Sequence, residues 1–343
     1  IIYMYVTYLL MGSVFYTLVN IPYGSMAPAL TQNPVERGKL ATFRMYGAAA
    51  SILALAFVIA PQIRGNANNP EALQQSLFVT TGIFVVVGMA LYLFLVFNTT
   101  ESVHRDPTPV SLRESMRTLR TNKPLLLLSL GSVLFLLGFI ALGTLGSYIA
   151  IYVQGDAQFI AWNTLAQTAG LLVVGPLIPR IVRTIGKRTG FMGLGVVTIV
   201  GAVILAFAPI AELPWLGTAA FLVMGVGIYG VNTLMWALEA DTVEYGEWRT
   251  GNRTEGTTYA VFSFTRKMGQ ALGGFIGGLA LTWAGFSAER ASSGQDQAAG
   301  VGSSIQLWAG GIIVAASLLS IAVMFFYPLT EEKFQQISGE IAA

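Results

Sequence analysis

The sequence predicts an all-α integral membrane protein, and three observations carry that prediction. Charged residues make up 10% of the 343 residues and hydrophobic ones 54%, whereas an ordinary soluble domain carries roughly 25% charge. The apolar residues lie in long uncharged runs, such as 76–98, 191–210 and 304–327, each near the ~20 residues of a bilayer-spanning helix. Lysine and arginine are divided very unequally between the connections that separate these runs. Inside lipid the backbone must satisfy its own hydrogen bonds, so the runs are helices; a transmembrane barrel would instead show ~10-residue alternating segments.

In chain order, the runs between polar breaks give spans at 2–30, 42–61, 76–97, 124–153, 158–179, 189–208, 215–240, 257–286 and 304–327, about nine in all. If they alternate direction, the connections 31–41, 98–123, 180–188 and 241–256 and the tail 328–343 share one side of the membrane. The connections 62–75, 154–157, 209–214 and 287–303 share the other. That second side holds only Arg64 and Arg290, leaving 17 of the 19 Lys and Arg on the first side or in helices close to it. The first side is therefore cytoplasmic by the positive-inside rule.

The longest cytoplasmic connection carries Arg105, Arg113, Arg117, Arg120 and Lys123, and places Leu112, Met116 and Leu119 on one helical face within 111–119. It reads as a surface helix bridging two halves. Six spans follow the bridge and three precede it. Major facilitator transporters consist of two six-helix halves joined in this way, so the expected architecture is a major facilitator superfamily fold with about nine of twelve transmembrane helices present. Residues 1–97 would be three helices of the first half, 98–123 the connecting segment, 124–327 the second half and 328–343 a cytoplasmic tail. The opening at Ile1, directly in a span, carries the expectation that three spans are missing at the amino end. No secretory signal is expected, because 1–19 lacks a basic first segment and the apolar run does not stop at a small-residue cleavage site.

Several chemistries are excluded at once. Cysteine is absent, so no disulfide, thiolate nucleophile or cysteine metal site exists. The only histidine, His104, stands beside Glu101 and Arg105 and reads as a solvated loop residue, which removes histidine metal clusters and Ser-His-Asp catalysis. A formal net charge of +2 is too small to suggest a nucleic-acid partner. No catalytic residue, metal site or cofactor is expected.

Charged groups at mid-bilayer cost at least ~2.5 to 3.5 kcal/mol, so each requires a partner or a task. Lys267 lies ten residues past Thr257, ~15 Å into its span at 1.5 Å per residue, and is expected to face a cavity and pair with a carboxylate. Arg266 points about 100° away around the same helix. Tyr16 and Asn20 share one face of the first span with Thr17 beside them; they either bond a neighbouring helix or line a polar cavity. Pro22 and Gly24 then suggest an interrupted helix. Arg44 is either an interfacial anchor or an inward-facing donor. Asn232 and Trp236, four residues apart, could offer a sugar ring hydrogen bonds and a flat apolar face; Trp236 could equally be a belt residue.

The motif Asn20-Ile-Pro-Tyr-Gly-Ser-Met, the stretch from Thr31 to Arg44 and above all the stretch from Glu239 to Tyr259 resemble the glycoside-pentoside-hexuronide:cation symporters, the family of melibiose permease and the bacterial glucuronide transporter. The resemblance runs over essentially the whole chain and is closer to the glucuronide and xyloside type. It implies alternating access and uptake of a glycoside, pentoside or hexuronide driven by H⁺ or Na⁺. By motif position it makes Lys267 a functional lysine of cation coupling and substrate binding, Thr17 a hydroxyl near the cation site, and Arg44 a sugar-site arginine after a one-residue shift. Asn20 stands where melibiose-type members have an acid, and Gly24 and Asn232 where they have aromatics. The family's cation-binding acids lie in two helices that this chain is expected to lack.

The expected substrate-binding set is thus Tyr16, Asn20, Arg44, Asn232, Trp236 and Lys267, with Thr17 and Lys267 in coupling. The acidic loop with Asp241, Glu244 and Glu247 alternates with Arg249 and Arg253, and a salt-bridged cytoplasmic gate formed by Asp241, Glu244, Arg249 and Arg253 is expected there in preference to a membrane enzyme's site. The rival carrier reading is a lysolipid or drug transporter with an apolar lateral cleft. The expected partners are a small sugar and the lipid bilayer, for a multi-pass monomer of the inner (plasma) membrane with its C-terminus in the cytoplasm.

Overall fold

The computed structural model describes residues 2–66, 69–100, 120–293 and 295–342, and its described elements are all helical. His104 and the bridging segment around Leu112, Met116 and Leu119 lie outside the described residues.

Helix starts follow a repeated local signal. Asn33 Oδ1 accepts from the Val35 and Glu36 amides, Asn69 Oδ1 from Ala72 and Asn122 Oδ1 from Leu125, each with a proline in the first turn. An asparagine cap satisfies otherwise orphaned amides, and proline there forfeits no hydrogen bond. These starts give α3 (Pro34–Gly65), α4 (Pro70–Asn98) and α5 (Lys123–Tyr152). Before them run α1 (Ile2–Leu9), a π-helical stretch (Leu10–Phe15) and α2 (Tyr16–Leu30). After them come α6 (Gln158–Val174), α7 (Ile178–Phe207), α8 (Pro214–Thr250), α9 (Glu255–Trp283), the short α10 (Ala288–Ser292), α11 (Val301–Phe325) and α12 (Glu331–Ala342).

Six stretches among the described residues are long and apolar enough to cross a bilayer: Tyr3–Leu30, Glu71–Asn98, Lys123–Tyr152, Gln158–Phe207, Pro214–Thr250 and Val301–Phe325. Gln158–Phe207 covers two spans expected from the sequence. It is broken at Gly186, whose φ of +76° and ψ of 165° are not helical. The expected span at 42–61 falls in α3, and that at 257–286 corresponds to α9, which ends at Trp283.

Two expectations are corrected. The acidic segment 241–250 is not a loop: α8 continues to Thr250, and the chain turns only at Gly251, whose φ of +71° ends the helix in the left-handed region. The cause is the packing of Asp241, Glu244 and Tyr245, all buried, which overrides their polarity. Pro22 does not interrupt α2, which is helical through it; the irregularity is the π-helical stretch before Tyr16.

Helices α5, α6, α7, α8, α9 and α11 form a bundle in which α8 packs on α6 and α7, and α5 on α9 and α11. Its core is built from Leu142, Phe191, Met224, Ile228, Leu234 and Phe262, all nearly inaccessible. Against this bundle α3 packs on α7 and α8, α2 on α9, and α12 on α8. The α6–α8 crossing is a backbone contact, since a Cβ on Gly225 would lie 2.1 Å from the Gln167 carbonyl oxygen. Small residues allow this approach, which supplies packing where lipid removes the hydrophobic drive. Gly225→Val should therefore lower the thermal midpoint in detergent, in line with an overpacking cost of about 1 to 3 kcal/mol; an unchanged midpoint would contradict the contact.

Candidate functional site

Two cavities lie where α2 and α3 meet α8 and α9, divided by one tyrosine. The first, about 130 Å³, is lined by Tyr23, Arg37, Arg44, Trp236 and Glu239 together with apolar side chains such as Leu40 and Leu95. The second, about 500 Å³, is lined by Tyr16, Thr17, Asn20, Ser263, Lys267 and neighbouring apolar groups. Between them stands Tyr259, wholly buried. Arg44 Nη2 donates to its hydroxyl at 2.6 Å, and that hydroxyl donates to Asn20 Oδ1 at 3.3 Å. The ring occupies space left free by Gly24, where an added Cβ would fall 1.7 Å from Tyr259 Cζ.

Aromatic faces and cations alternate through this region. Trp236 stacks on Tyr259 with centroids 5.6 Å apart and meets Phe262 edge-on. Arg44 lies 3.9 Å from the Trp236 centroid and Arg266 lies 4.6 Å from it. Such contacts hold a guanidinium without neutralising it. Lys267 sits 4.2 Å from the Tyr16 ring centroid, and its Nζ donates to the Gly12 carbonyl at 3.3 Å. Among the described residues no carboxylate pairs with Arg44, Arg266 or Lys267.

The expected site residues therefore divide. Tyr16, Thr17, Asn20 and Lys267 border one cavity; Arg44 and Trp236 border the other. Asn232 borders neither: its Oδ1 accepts from Arg266 and its Nδ2 donates to the Ile228 carbonyl. It positions Arg266 rather than facing open space. Glu239 and Tyr259 did not enter the expected set, although Trp236 and Glu239 are three residues apart and so share a helical face.

At one end of the bundle, near the 31–33 turn, the Gly186 break, Gly251 and α12, lies a buried ion network. Arg37 donates to Asp241 Oδ1 at 3.0 Å and, through both terminal nitrogens, to Glu244. Lys187 reaches Asp241 Oδ2 at 2.6 Å and Glu331 at 3.5 Å. Arg253 contacts Glu255 at 2.6 Å and Glu244 at 3.4 Å, and donates to the Pro28 carbonyl. Phe334 of α12 caps the network, 5.5 Å from Arg37 Cζ and 4.9 Å from Lys187 Nζ. Outside the spans, burial pushes the Glu331 carboxyl up; Lys187 opposes that shift and Asp241 reinforces it.

The structure gives Asp241, Glu244 and Arg253 partners but leaves Arg249 exposed against Trp248. Arg249 is thus outside the network expected for it: Asp241 and Glu244 turn inward on α8, while Arg249 follows on the outer face near its end. Besides Arg253, the cations that meet these acids among the described residues are Arg37 and Lys187, distant in sequence.

Residues 1–331 match the family described as MFS/sugar transport protein. The glucuronide carrier protein homolog of Escherichia coli (strain K12) is 36% identical over 342 residues, covering 99% of this chain and 73% of that protein. A provisionally named sulfoquinovose importer of Salmonella typhimurium (strain LT2) is 32% identical, over 98% of this chain and 70% of its own length. An isoprimeverose transporter of Lactiplantibacillus pentosus is 29% identical, over 86% and 62%.

Proposed function

The chain belongs to the MFS/sugar transport protein family, a family of membrane transporters and not of enzymes, and on that premise we propose that it carries an anionic sugar or glycoside, such as a hexuronide, by cation-coupled symport. The observation that carries this reading is the set Arg44, Arg266 and Lys267, three cations around aromatic-lined space with no described carboxylate paired to them. A guanidinium without a carboxylate partner supplies a planar fork matched to a carboxylate or sulfonate. Trp236, which lines the first cavity, supplies flat apolar surface for a pyranose ring. The names of two relatives, a glucuronide carrier homolog and a sulfoquinovose importer, point to the same anionic class.

In this reading the helices up to 97 form one moving unit and 124–327 the other, joined by 98–123. The charged network is the gate on the cytoplasmic side, with α12 as its cap. The protein works as a monomer in the inner membrane, its C-terminus in the cytoplasm. H⁺ or Na⁺ drives accumulation, with Thr17 and Lys267 in the coupling region.

The test is uptake of radiolabelled phenyl β-glucuronide and of its neutral methyl ester into vesicles, with imposed H⁺ and Na⁺ gradients, by wild type, Arg44→Gln and Arg266→Gln. A charge-assisted hydrogen bond is worth about 1.5 to 3 kcal/mol, so Arg44→Gln should reduce glucuronide transport by roughly ten- to a hundredfold while leaving the ester, already weak, much less affected. Equal losses for both sugars would favour a neutral glycoside, the cargo named for the isoprimeverose relative. Movement of a fluorescent lysolipid with no sugar uptake would replace the sugar reading altogether.

A further inference from the structure

We propose that Glu239 is the proton-binding site through which this carrier couples proton movement to its anionic cargo, an inference that rests on reading the Arg44 and Trp236 cavity as part of the sugar site. Glu239 lines that cavity and is 2% exposed. Its Oε1 is buried with no hydrogen-bond partner among the described residues. Among the acids of α8 this isolation is confined to Glu239. Two and five residues further along the same helix, Asp241 and Glu244 are matched by Arg37, Lys187 and Arg253.

Among the described residues the charged and titratable groups around Glu239 are few. Helix α3 contributes Arg37 and Arg44, α2 contributes Tyr23, α4 contributes the apolar Leu95, and α8 itself contributes Trp236 beside it and Asp241 and Glu244 beyond. Arg37 is engaged by the two paired acids. Arg44 donates to Tyr259 and lies over Trp236. No cation among the described residues is dedicated to Glu239, and an ionised carboxylate buried without a partner is costly enough that a proton neutralises it.

Competition for Arg44 links the proton to the cargo. With a proton on the Glu239 carboxyl, Arg44 is free to hold the anionic group of the sugar. When the cavity opens to the less acidic side, the proton leaves the carboxyl for water, the carboxylate attracts Arg44, and the sugar anion loses its partner. One proton and one monoanion cross together, so each cycle moves no net charge at this site.

The experiment combines infrared pH titration of the substrate-free protein with phenyl β-glucuronide binding from acid to alkaline pH, in wild type, Glu239→Gln and Glu239→Asp. We expect a protonated-carboxyl band in wild type that disappears in Glu239→Gln and moves in Glu239→Asp. Wild-type affinity should fall about tenfold per pH unit above the midpoint of that band, as linkage to one proton requires, and Glu239→Gln should show no such slope. A wild-type spectrum without the band, a band retained in Glu239→Gln, or equal affinity slopes in the two proteins would overturn the assignment. If the band behaves as expected but no glucuronide binds, the proton site stands and the anionic-sugar reading falls. If glucuronide binds but wild type shows no Glu239 band, the reverse holds. Should Glu239→Gln not fold, wild type against Glu239→Asp still decides through the band position.

Discussion

Arg37→Ala should open the end of the molecule that the ion network closes. Arg37 is 1% exposed and, among the described residues, is the one side chain that touches both Asp241 and Glu244; it reaches them from α3, while both acids are on α8. Its removal leaves Lys187 for Asp241 and Arg253 for Glu244, but withdraws a cation from between two carboxylates that are themselves inaccessible. Breaking a buried pair in this way costs about 3 to 5 kcal/mol, because the remaining charge is left uncompensated. The same arithmetic makes the closed arrangement less favoured by a factor of about a hundred or more.

The protein has no cysteine, so a single introduced thiol reports the change without background. Ala240 lies beside the network, is 1% exposed and borders the first cavity. In an Ala240→Cys background, Arg37→Ala should raise the rate of maleimide labelling at position 240 by at least tenfold, whereas Arg249→Ala should change it by less than about threefold, as for an exposed substitution. Equal labelling in the two variants would show that the network does not hold this end shut.

The pair that matters most in that argument is also the pair least legible in the sequence. Arg37 and its acids are 204 and 207 residues apart, and local pattern connects no such positions. What the sequence does carry is one-dimensional. Burial depth follows from counting residues along an apolar run, which identifies Lys267 and Asn20. The polarity of 241–250 reads as a loop because four acids and bases crowd it, yet two of the acids are neutralised from outside and the helix continues. Tyr259 is hidden for a related reason: its ring fills the space at Gly24, and a gap on another helix leaves no mark in the local sequence. For Asn232 the helical position is legible, but the bond that Arg266 makes to its carbonyl oxygen is not.

Gly24→Ala tests whether that void sets the site. An alanine Cβ would fall 1.7 to 2.3 Å from three atoms of the Tyr259 ring, so the ring must leave. Tyr259 is far out along a side chain and would ordinarily swing aside at little cost. Here it is wholly buried, stacked on Trp236 and bonded to Arg44, so displacing it also releases the guanidinium from its present position. Overpacking of this kind costs about 1 to 3 kcal/mol, and phenyl β-glucuronide affinity should fall by roughly ten- to a hundredfold. Two further variants separate sterics from hydrogen bonding. Tyr259→Phe keeps the ring, loses the bond to Arg44 and should not rescue Gly24→Ala. Tyr259→Ala removes the ring, so adding Gly24→Ala to it should cost almost nothing more, a large departure from additivity between residues in contact. Additive losses, measured by calorimetry across the four proteins of that cycle, would mean that Tyr259 can vacate the space freely and that Gly24 does not fix the position of Arg44.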